Sequence, residues 1–173
     1  TFLGHPLHPA VTDVPVGAWI VGVIADWIAI GSGAVPTTAG DLALTVGVVG
    51  AVLSAASGYT DFHETFGHER RMAVTHGLTM TVVVVLEVIS LLLRWIGPHG
   101  AHLAAVLIAT VALVLMFIGA YLGGHLSFGL GTMVNRGAFL EGPEDFVPVG
   151  PLSDFPEGAM RKADAGALSV LVL

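Results

Sequence analysis

Four apolar stretches restrict this chain more than any other feature. They lie at about 14–33, 38–58, 70–96 and 101–128, each long enough to supply the roughly 20 residues an α-helix needs to cross about 30 Å of hydrocarbon. The third contains the uninterrupted run Val82-Val83-Val84-Val85-Leu86. Breakers separate them, among them Gly31-Ser32-Gly33-Ala34-Val35-Pro36 and Gly97-Pro98-His99-Gly100. The rest of the composition points the same way, because only 11% of the residues are charged. A soluble domain carries about 25%, since that surface must face water. The expected fold is an all-α integral membrane protein, an up-down-up-down four-transmembrane-helix bundle in residues 1–136. A linker and an incomplete β-like segment follow in 137–173.

The first span is expected to open with Thr12 or Asp13 as its cap and Pro15 in its first turn. With no basic region before it, the stretch reads as a span and not as a cleaved leader. The second carries small residues at four-residue spacing, Gly47, Ala51 and Ala55 on one row, Gly50, Ser54 and Gly58 on the next. Gly119 and Gly123 repeat the pattern in the fourth, and such rows let helix backbones approach closely in lipid. Short linkers make consecutive helices antiparallel neighbours. Residues 1–12, 59–69 and 129–173 then share one side, the N-face. Arg70, Arg71 and Arg136 flank that face, whereas only Arg94 flanks the other, so the positive-inside rule puts the N-face and both termini in the cytoplasm.

After residue 135 the composition changes. Pro143, Pro148, Pro151 and Pro156 precede the run Ala167-Leu168-Ser169-Val170-Leu171-Val172-Leu173. Residues 146–149 and 168–173 read as short strands separated by turn residues. Two strands bury no core, so the tail is expected to begin a larger soluble domain or to add to a partner's sheet.

The charge balance excludes one class of partner. Six Lys and Arg against 13 Asp and Glu give a formal net charge of −7, and a nucleic-acid partner needs a basic patch. Cysteine is absent, which excludes disulfides, thiolate zinc sites, a cysteine nucleophile, Cys-ligated clusters and covalent haem within these residues. Triad, P-loop and dinucleotide fingerprints are missing as well. Any activity is therefore at most that of a redox component.

Histidine is the exception to the apolar composition, with 8 copies. His5, His8, His63, His68, His76 and His125 fall at the N-face, His99 and His102 at the other. His76 lies six residues past Arg70, roughly 9 Å along its helix at 1.5 Å per residue, and His125 is its counterpart near the end of the fourth span. Imidazole is the usual ligand for haem iron and for other transition metals. Gly4 precedes His5, Gly77 follows His76 and Gly123-Gly124 precede His125, leaving room for a flat macrocycle where no Cβ blocks it. The expected cofactor is b-type haem, one or two, with His76 and His125 as the axial pair. His5 or His8 would serve a second haem or replace one of these. Arg70 and Arg71 would receive the propionates. The same histidines could hold a non-haem metal, although no H-x-x-x-H helix pair is present. His63, His68, His99 and His102 read as interfacial anchors or caps.

Two carboxylates lie deep in the spans, where an ionisable group is costly. Asp26 is expected to bond a backbone or tryptophan partner while protonated, and Glu87 a hydroxyl such as that of Thr110. Their roles are structural or belong to a proton path. Asp61 is expected to orient a nearby histidine.

Gly4-His5-Pro6-Leu7-His8-Pro9, Asp13-Val14-Pro15-Val16-Gly17, Ser57-Gly58-Tyr59-Thr60-Asp61, Thr75-His76-Gly77 and Gly123-Gly124-His125-Leu126 together resemble a bacterial four-helix membrane family of unknown function. Its members are often fused to a C-terminal Rieske-type iron–sulfur domain. The resemblance covers about residues 3–136, and the segment from Phe146 to Leu173 is similar to the opening strands of such a domain. The cluster motifs of a Rieske centre are absent. The resemblance implies a bacterial inner membrane and an electron-transfer setting. The partners it implies are the lipid bilayer and a Rieske-type domain or other redox protein, with a quinone or a larger membrane complex as further options. The function expected is a membrane electron-transfer subunit. The alternative is a cofactor-free structural subunit or anchor.

Overall fold

A computed structural model describes residues 6–135 and 139–173. His5 and Arg136 lie outside the described residues. The chain forms two compact units, Thr1–Met133 and Val134–Leu173.

The first unit is four long helices, α1 (Leu7–Ser32), α2 (Thr37–Phe62), α3 (Gly67–Ile96) and α4 (His102–Gly124), the last continued by a π-helical turn at His125–Gly129. All four are long and apolar enough to cross a membrane, and between 22% and 33% of each apolar window is buried within the protein. The remainder faces outward as a belt that includes Val21, Leu42, Val49, Val85, Val111 and Val114. Such an exterior is compatible with lipid and not with water. This is an all-α membrane bundle.

Inward-facing residues recur every three or four positions on each helix. α1 buries Pro15, Trp19, Val23 and Asp26, and α2 buries Gly40, Leu44, Gly47, Ala51 and Ser54. Val83, Glu87 and Ser90 face inward on α3, and Ala105, Ala109, Ala112, Met116 and Gly119 on α4. α1 packs chiefly on α2, and α3 on α4. The small residues expected to permit close approach do so: the Trp19 indole lies where a Cβ on Gly47 would stand. Ala55 departs from its row and is exposed.

Helix ends differ from the sequence expectation in a consistent direction. α1 begins at Leu7, so neither Thr12 nor Asp13 caps it; the Thr12 hydroxyl donates to the Pro9 carbonyl at 2.7 Å. Pro9 falls in the first turn, where no intrahelical partner for its nitrogen is needed. Pro15 is interior and buried. α2 runs past Gly58 to Phe62 and α3 starts at Gly67, which leaves a connection much shorter than 59–69. The bundle's helices therefore extend further at this end than hydropathy alone suggests.

In the second unit β1 (Arg161–Ala165) pairs antiparallel with β2 (Leu168–Val172), Ala165 opposite Leu168. The two-residue turn holds Gly166 at φ +64°, and glycine at that first position suits a II′ hairpin. The strand expected at 146–149 is absent. Pro148 supplies no N–H for a ladder there, and β2 finds its partner locally instead.

Candidate functional site

At the end of the bundle where α1 and α3 begin, two of the expected histidines come together. The His8 and His76 ring centroids are 6.3 Å apart, with planes at 80°. His8 Nδ1 is 2.8 Å from the Ser54 carbonyl of α2, and His76 Nδ1 is 2.9 Å from the Gly119 carbonyl of α4. A carbonyl oxygen only accepts, so each Nδ1 carries the proton. Neutral imidazoles held this way keep their Nε2 lone pairs available, the state in which metal-bound histidines are oriented by a second contact. The hydrogen bonds these two rings make among the described residues are those at Nδ1.

Glycine makes both placements possible. A Cβ on Gly58 would stand 2.8 Å from His8 Nδ1, and one on Gly123 would stand 3.1 Å from His76 Cε1. Gly123 thus gives its space to the imidazole of His76. A Cβ on Gly77 or Gly124 would meet nothing within 4 Å, so these two border open space.

His125 sits in the π-helical turn, exposed, and its ring touches no other ring among the described residues. It lies two residues past Gly123, about 200° around the helix from the position that faces His76. The structure brings His76 to His8 and not to His125. Arg70 and Arg71 are both exposed, and the Arg70 guanidinium stacks 4.7 Å from the centroid of the Phe62 ring. His63 packs edge-on against Tyr59 at 4.8 Å. Among the described residues Asp61 bonds no histidine: the hydrogen bond at its carboxylate comes from the Thr60 hydroxyl at 3.5 Å. Among the described residues no group of three or more His, Asp or Glu is placed to hold a metal ion.

The opposite end holds a second polar site. Arg94 donates through Nη2 to Asp26 Oδ2 at 2.7 Å and through Nη1 to Asp26 Oδ1 at 2.9 Å, and Nη1 also reaches Asp41 Oδ1 at 3.1 Å. Its Nε donates to Ser90 Oγ at 3.2 Å, and that hydroxyl donates to the Ala105 carbonyl at 2.8 Å. One guanidinium thereby ties α1, α2, α3 and, through Ser90, α4. The side chains of Arg94 and Asp26 are 1% and 0% exposed. Gly40 gives the Asp26 carboxylate its space, since a Cβ there would overlap it.

Both carboxylate expectations are therefore corrected. Asp26 bonds Arg94 because the arginine side chain reaches its depth. Thr110 accepts instead from the Trp27 indole at 3.0 Å and donates to the Val106 carbonyl, so Glu87 has no hydroxyl there. Arg94 is likewise no surface charge flanking a loop. Sequence reading missed this pair because Asp26 and Arg94 lie on α1 and α3, which are not consecutive, so the short linkers give no sign that they meet.

A family model described as predicted membrane protein (DUF2231) matches residues 4–136, and the chain belongs to that family. No curated protein and no solved structure matches it.

Proposed function

We propose that this member of a family of predicted membrane proteins is an electron-transfer module. In this reading it holds the iron of a b-type haem through His8 and His76. One observation carries the reading: two imidazoles on different helices, each with Nδ1 committed to a backbone carbonyl, are 6.3 Å apart. A metal bound by both would take Nε2 of each ring, since each Nδ1 is committed to a carbonyl. Arg70 and Arg71 supply cations at the same end for anionic propionates. The N-face is cytoplasmic in this reading, because the exposed Arg70 and Arg71 lie there while the Arg94 charge is committed to Asp26 and Asp41. The electron partner is a peripheral iron–sulfur centre of the Rieske type.

The test is the visible spectrum of protein purified in mild detergent from cells supplied with iron. A reducible low-spin b-type spectrum is expected. His8→Ala and His76→Ala should each abolish or shift it, while His99→Ala leaves it unchanged. A His8→Ala/His76→Ala protein that keeps a full low-spin spectrum would exclude this pair. Wild-type protein free of haem and metal would leave the cofactor-free anchor.

A further inference from the structure

Glu87 is the buried charge-bearing group that neither polar site uses. It is 0% exposed, on the inward stripe of α3 between Val83 and Leu91, and neither Oε1 nor Oε2 has a hydrogen-bond partner among the described residues. α3 packs chiefly on α4. The buried residues of α4 are Ala105, Val106, Ala109, Ala112, Met116 and Gly119, which offer no side-chain donor. An ionised carboxylate without a partner inside hydrocarbon is strongly disfavoured.

The nearest cation is already committed. Arg94 lies two helical turns further on, roughly 10 Å of rise, but its fork holds Asp26 and Asp41. Those three groups sum to −1, and an ionised Glu87 would make −2 in the bundle interior. The charged groups that bear on Glu87 are Arg94 on its own helix and Asp26 from α1, with Asp41 at the start of α2 and His102 at the start of α4 further toward the same end. His76 and His8 lie toward the other end. Asp41 is 26% exposed and opens this end to water. His102 Nε2 is also buried without a partner among the described residues, one turn before the Ala105 that Ser90 bonds.

We propose that Glu87 is a proton-binding site, a carboxylic acid that stands neutral in the bundle and exchanges its proton with the face where Arg94, Asp41 and His102 lie. Loading leaves the interior charge at −1. Release passes the proton to water at that face and leaves a carboxylate whose nearest cation is Arg94. The site serves proton uptake or relay across half of the membrane, independently of any haem at the other end.

The test uses the full chain in lipid vesicles and a hydrophobic carbodiimide. That reagent takes the acid proton on nitrogen while the carboxyl oxygen bonds its central carbon, and an oxygen-to-nitrogen acyl shift fixes the adduct as an N-acylurea. Peptide mass mapping should find the adduct on Glu87 and not on Asp26 or Asp41, with a yield that falls at least tenfold in alkaline medium. Glu87→Gln should abolish it. Wild-type protein gives a second readout that needs no variant: the infrared carbonyl band of a protonated carboxyl should shift in D2O. Asp41→Asn and His102→Ala should slow that shift several-fold, whereas His76→Ala should not. A wild-type protein with no adduct at Glu87, an adduct equally strong on Asp26, or a carboxyl band insensitive to D2O would overturn the proposal.

Discussion

Arg94 carries the heaviest electrostatic duty in the bundle, and Arg94→Met tests it directly. The substitution keeps most of the side chain's volume and removes the cation between Asp26 and Asp41. Asp26 is then fully buried with neither oxygen satisfied, since both were committed to Arg94. Removing one partner of a buried pair costs about 3–5 kcal/mol, chiefly the penalty of the stranded charge. Asp26→Asn should cost less, about 1–3 kcal/mol, because Arg94 keeps Asp41 and Ser90 and the amide oxygen still accepts. Asp26→Leu/Arg94→Met should recover most of the loss, since apolar replacement of a buried pair is often neutral. Asp41, partly open to water, can then hydrate. Equilibrium unfolding by sodium dodecyl sulfate in mixed micelles, followed by circular dichroism, gives all three values and their coupling. The reasoning fails if Arg94→Met costs under about 1 kcal/mol or no more than Asp26→Asn, either of which would mean Asp26 is not desolvated as its burial implies.

Gly58→Ala and Gly123→Ala should each push an imidazole off its carbonyl, so either one should alter the spectrum of a haem held by His8 and His76; an unchanged spectrum would detach the glycines from the site. Gly47→Ala places a methyl in the Trp19 indole and should destabilise the bundle by about 1–3 kcal/mol by overpacking, read in the same detergent titration. His68→Cys should be closed to an impermeant maleimide added outside intact cells, and labelling there would reverse the assigned orientation. A peptide of residues 146–173 should give a coil-like circular dichroism spectrum, because one isolated hairpin buries too little apolar area; a cooperative melt would contradict this.

Span number and connection are legible in the sequence, since both follow from hydropathy and breakers that act locally. Helix rotation is not. Depth singles out His76, but which histidine meets it depends on which way α1 and α4 turn. Depth cannot distinguish His8, on the inward side of α1's first turn, from His125 on the outward side of α4. The start of α1 escapes sequence reading for a related reason: Pro9 and Pro15 suggest breaks in water, yet a chain in lipid keeps its backbone bonded and carries the helix through. Arg94 escapes it through its direction. A helical Cβ tilts toward the helix N-terminus, so an arginine in the last turn of α3 points back into the bilayer, where Asp26 lies about six residues inside the end of α1. In the tail, the apolar run at 146–149 is the more conspicuous strand candidate. The polar run at 161–165 forms the strand because Gly166 and Ala167 turn it directly onto β2.

The polar contacts have a common placement that explains why so apolar a chain keeps them. α1 with α2 and α3 with α4 form two closely packed hairpins, and the contacts between the hairpins are fewer. In water the apolar effect would close such a seam. In lipid it does not, since lipid tails are as apolar as leucine, and helices associate through packing and hydrogen bonds. The seam is crossed at one end by His8 against His76 and at the other by Asp26 and Asp41 on Arg94. Trp27 on Thr110 joins α1 to α4. The ion-pair end fixes the register of one hairpin on the other, because a bidentate fork tolerates little sliding. At the histidine end the rings are anchored within their own hairpins, His8 to Ser54 and His76 to Gly119, while Arg70 of α3 stacks on Phe62 of α2 across the seam. The two ends of the seam therefore differ in kind, a buried ion pair at one and two imidazoles anchored on backbone carbonyls at the other.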